Sequence, residues 1–200
     1  MTFIAAWGQE DCNLKLKKDS ISVYSCKAKT SKFNIVKATF PVYAHLSELA
    51  SMVFDIDHMH EWQYETLRAE LLKQISEKEI IYYTEVKAPV LTDNRDFVIR
   101  LKVEQDPHTK ALTITAESLP DYIPRKRNIV RVPYSKAIWK VTLSGKNHLH
   151  VEYTIDIDLG GAVPPWMVNL VSHQAPYETF SALRSKIHSY RGKGMKLIRD

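Results

Sequence analysis

Long apolar runs are missing from these 200 residues: no stretch approaches the roughly 20 residues that cross a bilayer as a helix. Glycine is sparse at six, and none of the glycines forms a phosphate-cradling loop or a nucleophile elbow, which leaves nucleotide and serine-nucleophile chemistry without a motif. Two cysteines, Cys12 and Cys26, are too few for a disulfide scaffold and are read as free thiols, Cys26 inside a strand. No repeat, low-complexity tract or interdomain linker interrupts the chain. The opening Met-Thr-Phe-Ile-Ala-Ala-Trp is apolar but lacks the basic start of an export signal. A cytoplasmic location is therefore the default expectation, and a periplasmic one follows if residues 1–9 are the remnant of such a signal.

What is present is ordinary globular composition, 44% hydrophobic and 26% charged, in a length that suits one domain. Residues 10–192 are assigned to that domain, 1–9 to an N-terminal segment and 193–200 to a basic tail. The net charge of +5 favours an anionic contact without choosing among nucleic acid, acidic protein and lipid headgroups. Arg125-Lys126-Arg127, Arg131 and the tail are read as solvated basic segments, because aromatic residues are not interleaved with them as nucleic-acid recognition requires.

Ile21 to Ala28 and Phe33 to Phe40 are β-rich and separated by a polar break, which predicts a hairpin. Pro41 is placed at the start of a helix in which Leu46, Leu49, Val53 and Phe54 share a face. From Thr66 to Ile157 the pattern alternates, most clearly in Phe97, Ile99, Leu101 and Val103 against Arg100, Lys102 and Glu104, and again through Trp139, Tyr153 and Ile155. Turn residues at 106–109 and 144–147 join consecutive strands into an antiparallel meander. After Pro164 the chain turns helical, with Trp166, Met167, Leu170 and Val171 on one side, then Phe180, Leu183, Ile187 and Tyr190; Pro176 predicts a kink. About seven strands covered by one long and one short helix leave too little cover for a solid core, so the interior is either hollow or closed by tighter packing than periodicity reveals.

Two segments carry a resemblance. Asn94-Arg95-Asp96-Phe97-Val98, followed some 60 residues on by Ile157-Asp-Leu-Gly-Gly-Ala-Val-Pro-Pro-Trp-Met-Val-Asn169, resembles the START family, helix-grip domains that carry one lipid in an internal tunnel. The resemblance implies an α+β fold in which a curved antiparallel sheet grips a long C-terminal helix around a hydrophobic tunnel. It assigns Tyr83, Glu85, Arg95, Phe97, Ile99, Leu101, Val103, Trp139, Tyr153 and Ile155 to the cavity. The lid falls to Val90 and Leu91 of the 89–94 loop together with Trp166, Met167, Leu170, Val171 and Phe180. Glu85 matches an acidic cavity residue of sterol-binding members, but Leu101 stands where those members have an arginine, which argues against sterol. Glu85 is then either partnered by Arg95 or a ligand hydroxyl, or is a solvated strand carboxylate. Arg95 either pairs with Asp96 to fix the 89–94 loop, the favoured reading, or meets an anionic headgroup.

The implied function is binding, transfer or sensing of one hydrophobic molecule by a monomer, with transient membrane contact through Trp166 and Met167 and no cofactor. The alternative is a helix-grip cyclase or hydrolase using Tyr83, Glu85 or Asp96 as acid or base. His58, His60 and Glu61, with Asp55 and Asp57 nearby, include metal-ligand types, but their spacing is not that of a zinc site and no metal is assigned.

Overall fold

The computed structural model of the protein describes residues 11–27, 35–88, 92–163, 167–168 and 170–200. Val90, Leu91 and Trp166, the segment 1–9 and the side chain of Val171 lie outside the described residues.

Among the described residues ten strands form a single sheet: β1 (Cys12–Lys18), β2 (Ile21–Cys26), β3 (Ile35–Val42), β4 (Thr66–Ser76), β5 (Glu79–Val86), β6 (Asn94–Gln105), β7 (Leu112–Ser118), β8 (Ile129–Arg131), β9 (Tyr134–Gly145) and β10 (His148–Asp158). Nine of them run in the order β1-β2-β3-β10-β9-β7-β6-β5-β4, all neighbours antiparallel. The short β8 pairs in parallel with the start of β6. Helix α1 (Leu46–Phe54) joins β3 to β4 through a 3-10 turn at Met59–Glu61. A π-helical turn (Leu170–Gln174) leads into α2 (Ala175–Lys186), which ends in a second 3-10 turn at Ile187–Tyr190. This is the helix-grip architecture.

The alternating segments become strands because one face of each is dry. On β6 the inward residues Ile99, Leu101 and Val103 are buried while Arg100 and Glu104 are exposed. On α1, Leu46 and Leu49 are fully buried, and Glu48 turns back to accept the N–H of His45 at 3.0 Å. Phe180 of α2 fastens the helix to the sheet: it stacks on Phe40 of β3 at 4.3 Å and meets Tyr153 of β10 and Trp139 of β9 edge-on at 5.0 and 5.4 Å. The π-helical turn lies immediately before Pro176, where the missing backbone donor disturbs regular helix hydrogen bonding.

Four local expectations are corrected. Pro41 lies in β3, opposite His150 and past Thr39, the last β3 residue that β2 pairs with, while the helix begins at Leu46. Cys12 and Cys26 are not free thiols: they are direct partners across β1 and β2 and form a disulfide. Strand β1 itself was not anticipated, since its exposed, lysine-rich sequence has no dry face. Arg131 is not a solvated basic residue, because its side chain is buried against Asp96. Residues 192–200 fold back over α1, where the N–H and hydroxyl of Ser47 donate to Asp200 at 2.8 and 2.7 Å, the N–H of Met195 donates to the Ser47 carbonyl at 3.0 Å, and Ile198 is buried.

Candidate functional site: an apolar cavity between sheet and helix

A cavity of about 240 Å³ lies between the inner face of the sheet and the C-terminal helix. Its origin is visible in rows of residues that the register places side by side. Val103, Ile114, Trp139 and Tyr153 are successive partners across β6, β7, β9 and β10, and these large side chains fill the space above them. Two residues further along each strand the row reads Leu101, Ala116, Ala137 and Ile155. Two alanines where the previous row has isoleucine and tryptophan leave the sheet uncovered at its centre. In the next row Ile99 faces Ser118 and Ser135 faces Ile157, so the small side chains continue. The void is thus the consequence of a size gradient along β7 and β9.

From β6, Phe97, Ile99 and Leu101 line the cavity, joined by Trp139, Tyr153 and Ile155 and, on the helical side, by Met167, Leu170 and Phe180. Other lining residues had no cavity role in the sequence reading: Tyr82, Thr84 and Val86 of β5, Val53, Met59 and Trp62 around α1, and Pro176 and Thr179 of α2. Lys87, also in the lining, is exposed, so the cavity reaches the surface there. The N–H of Tyr64 donates to Thr179 Oγ1 at 3.1 Å, tying the loop after α1 to α2. Burial raises the phenols of Tyr82 and Tyr153, with the Tyr82 charge a second cause for Tyr153, so both stay neutral hydrogen-bonding groups at any ordinary pH.

Three residues do not lie where expected. Tyr83 and Glu85 project from the opposite face of β5: Tyr83 packs with Ile81 and Val98 in a second, outer cluster, and Lys126 Nζ sits 3.7 Å over its ring. Glu85 accepts from Asn94 Nδ2 at 2.8 Å and, at 3.5 Å, from the Tyr83 hydroxyl, so Arg95 is not its partner, and it is not among the residues that line the cavity. Val103 belongs to the filled row and is solid core.

The pairing of Arg95 with Asp96 is also corrected. Adjacent strand residues point to opposite faces, so the two separate. Asp96 faces outward and takes a bidentate pair from Arg131, Nε to Oδ1 at 2.7 Å and Nη2 to Oδ2 at 3.1 Å, with both side chains almost wholly buried. Arg131 Nη1 donates in addition to the carbonyl of Pro120 at 2.7 Å, pinning the 119–124 connection. Arg95 faces the cavity, 6% exposed, where its Nη1 donates to the Asp93 carbonyl at 2.6 Å and its Nε has no partner. After β10, Gly160 adopts φ of 65°, and a Cβ there would stand 2.9 Å from Pro133 Cδ, which accounts for a glycine at that turn.

Several histidines and carboxylates near α1 are held by other protein groups. Asp55 bridges His58 Nδ1 at 2.9 Å and the Tyr190 hydroxyl at 2.8 Å, and Glu61 pairs with Lys186 at 2.9 Å. No group of three metal-ligand side chains converges among the described residues.

An antiparallel sheet gripping a C-terminal helix around an apolar cavity defines a helix-grip binding domain. The START domain profile matches residues 7–193, and the chain belongs to that family. It is 26% identical over 176 residues to the Pseudomonas aeruginosa protein PA1579, covering 88% of this chain and 86% of that one. It is 29% identical over 127 residues to the mouse phosphatidylcholine transfer protein, covering 60% of this chain and 57% of the relative, so the match spans little more than half of that protein. Among solved structures, the STAR-related lipid transfer protein fragment from Xanthomonas axonopodis superposes with a TM-score of 0.81 at 26% identity, over 90% of this chain and 99% of that one.

Proposed function

We propose that the protein binds one lipid in the cavity between sheet and helix and carries it between membranes, with the C-terminal helix and the 89–94 loop as the lid. The observation that carries this reading is the wall itself: apolar side chains around about 240 Å³, and no carboxylate, imidazole or thiol among the described lining residues to act as general acid or base. Tyr83, Glu85 and Asp96, the groups on which a cyclase or hydrolase reading relied, all lie outside the cavity. Binding draws on chain burial, about 0.8 kcal/mol per methylene, so a dozen methylenes supply on the order of 10 kcal/mol before ordering costs. The names of the transfer-protein relatives support the same reading.

The test is transfer of a fluorescent phospholipid or fatty acid from donor to acceptor vesicles. Catalytic amounts of the protein are expected to accelerate exchange and to hold one lipid per chain. Exchange at the spontaneous rate for every lipid offered removes the carrier role.

A further inference from the structure

We infer that the ligand is an anionic amphiphile whose carboxylate or phosphate oxygens bind the guanidinium of Arg95 at its unpartnered Nε, with its chain running toward Leu101, Ala116 and Ala137. This rests on the lipid-binding reading above and names the head chemistry of its ligand.

A guanidinium does not shed its charge on burial, so something must compensate it. In this fold the natural carboxylate partner is taken: Asp96 is bound through both oxygens by Arg131. Arg131 uses its Nε–Nη2 edge for that pair, the geometry that suits a two-oxygen anion. On Arg95 the Nε of that edge has no partner. Its one hydrogen bond leaves from Nη1 to the Asp93 carbonyl, and its Nε is buried and orphaned at the cavity wall.

Two further orphans share the cavity. Thr84 Oγ1 and Trp62 Nε1 are buried without a hydrogen-bond partner, and both line the same space. Thr84 pairs with Phe97 and Val86 with Arg95, so Thr84 is the diagonal neighbour of Arg95 on the inner face. Arginine and tryptophan nitrogens only donate and the threonine hydroxyl is able to, so the unspent capacity favours acceptors. Among the described lining residues the charged groups are Arg95 and, at the surface end, Lys87, both cations, with no carboxylate beside them. Arg95 and its diagonal neighbour Thr84 make one part of the wall polar and positive, Leu101, Ala116 and Ala137 continue it with apolar side chains, and Trp62 stands beside Trp139 farther along. Six residues of β6 separate Arg95 from Leu101, roughly 20 Å of extended strand, which sets a chain's length between head and tail sites.

Calorimetric titration of delipidated wild-type protein at pH 8 with dodecanoate, dodecyl phosphate and dodecan-1-ol tests this without any substitution. At least one anion is expected to bind on the order of 30-fold more tightly than the alcohol, the value of charge-assisted hydrogen bonds in a buried site. The ratio between the two anions then tells a carboxylate head from a phosphate head. In Arg95→Leu that preference is expected to collapse to about threefold or less while alcohol binding persists, and Arg95→Lys, which keeps the charge but not the edge, is expected to fall between. Alcohol binding equal to that of both anions in the wild type overturns the inference and leaves lipid binding standing. Inorganic phosphate that binds as tightly as dodecyl phosphate also overturns it, since the chain is then not part of the ligand. Failure of all three amphiphiles removes the lipid-binding reading as well.

Discussion

Ala137→Ile puts the hollow directly to the test. Ala137 sits between Ala116 and Ile155 in the row where the sheet is left uncovered, and it lines the cavity while itself only 7% exposed. The substitution adds three carbons. In an unoccupied void their burial contributes up to about 2.4 kcal/mol, of which side-chain ordering removes about 0.5–1 kcal/mol. A net gain of about 1.5 kcal/mol in a domain of this size raises the melting temperature by roughly 3–6 °C. In a filled interior the same three carbons would cost about 1–3 kcal/mol, so the sign decides. Ile114→Phe, one row away and fully buried among large neighbours, supplies the contrast and is expected to destabilise. The assay is differential scanning calorimetry of delipidated protein, followed by dodecanoate titration. Ala137→Ile is expected to be more stable than wild type and to bind at least tenfold more weakly, about 1.4 kcal/mol. A lower melting temperature with unchanged binding would refute the reasoning.

Other expectations follow from the pairs that hold the scaffold. Asp96→Ala leaves Arg131 buried without its carboxylate and is expected to lower unfolding free energy by about 3–5 kcal/mol, read by urea denaturation; a loss under about 1 kcal/mol would mean that the loop carbonyls suffice. Reducing the Cys12–Cys26 disulfide, which closes 14 residues of separation, is expected to cost about 2–3 kcal/mol, measured by denaturation with and without a phosphine reductant and with Cys12→Ser as reference. Asp55 and His58 give a pH signature. Burial by itself would raise Asp55, but hydrogen bonds from His58 and Tyr190 outweigh it and hold the carboxyl below 3.8, so its contribution is complete above that pH and fades as acid reaches the lower folded value. The hydrogen bond to Asp55 raises His58 above 6.5, so its contribution is complete below 6.5 and fades as pH climbs through the higher folded value. Melting temperatures from pH 5 to 8 are expected to decline less steeply above 6.5 in His58→Gln than in wild type; identical slopes would show that the pair is not coupled to folding.

Much of the sheet was legible because one face of each strand is dry. The inward set Phe97, Ile99 and Leu101 follows from strict alternation on β6. The same rule failed on β5, where Ile80 to Thr84 is buried on both faces, the outer one beneath Leu119 and Ile123, so no alternation marks which parity faces inward. The resemblance placed Tyr83 and Glu85 in the cavity, one residue away from the lining pair Tyr82 and Thr84, and the strand offered no alternation to correct it. Alternation alone separates Arg95 from Asp96, a signal present in the sequence. The true partner, Arg131, comes from a three-residue strand 35 positions away, and such a short segment carries no period. The disulfide depends on the β1–β2 register, and β1 has no apolar face to announce itself. The size gradient from Trp139 to Ala137 to Ser135 is written plainly in β9, but only cross-strand pairing shows that it coincides with Ile114, Ala116 and Ser118 on β7.

Native mass spectrometry of the purified protein bears most directly on whether the interior receives a guest. The wild type is expected to carry one lipid-sized adduct per chain, released by collisional activation as an anion, while Ala137→Ile prepared in parallel carries little or none. A bare chain mass for the wild type, before and after incubation with a mixed lipid extract, would contradict the assignment of the cavity as a lipid site.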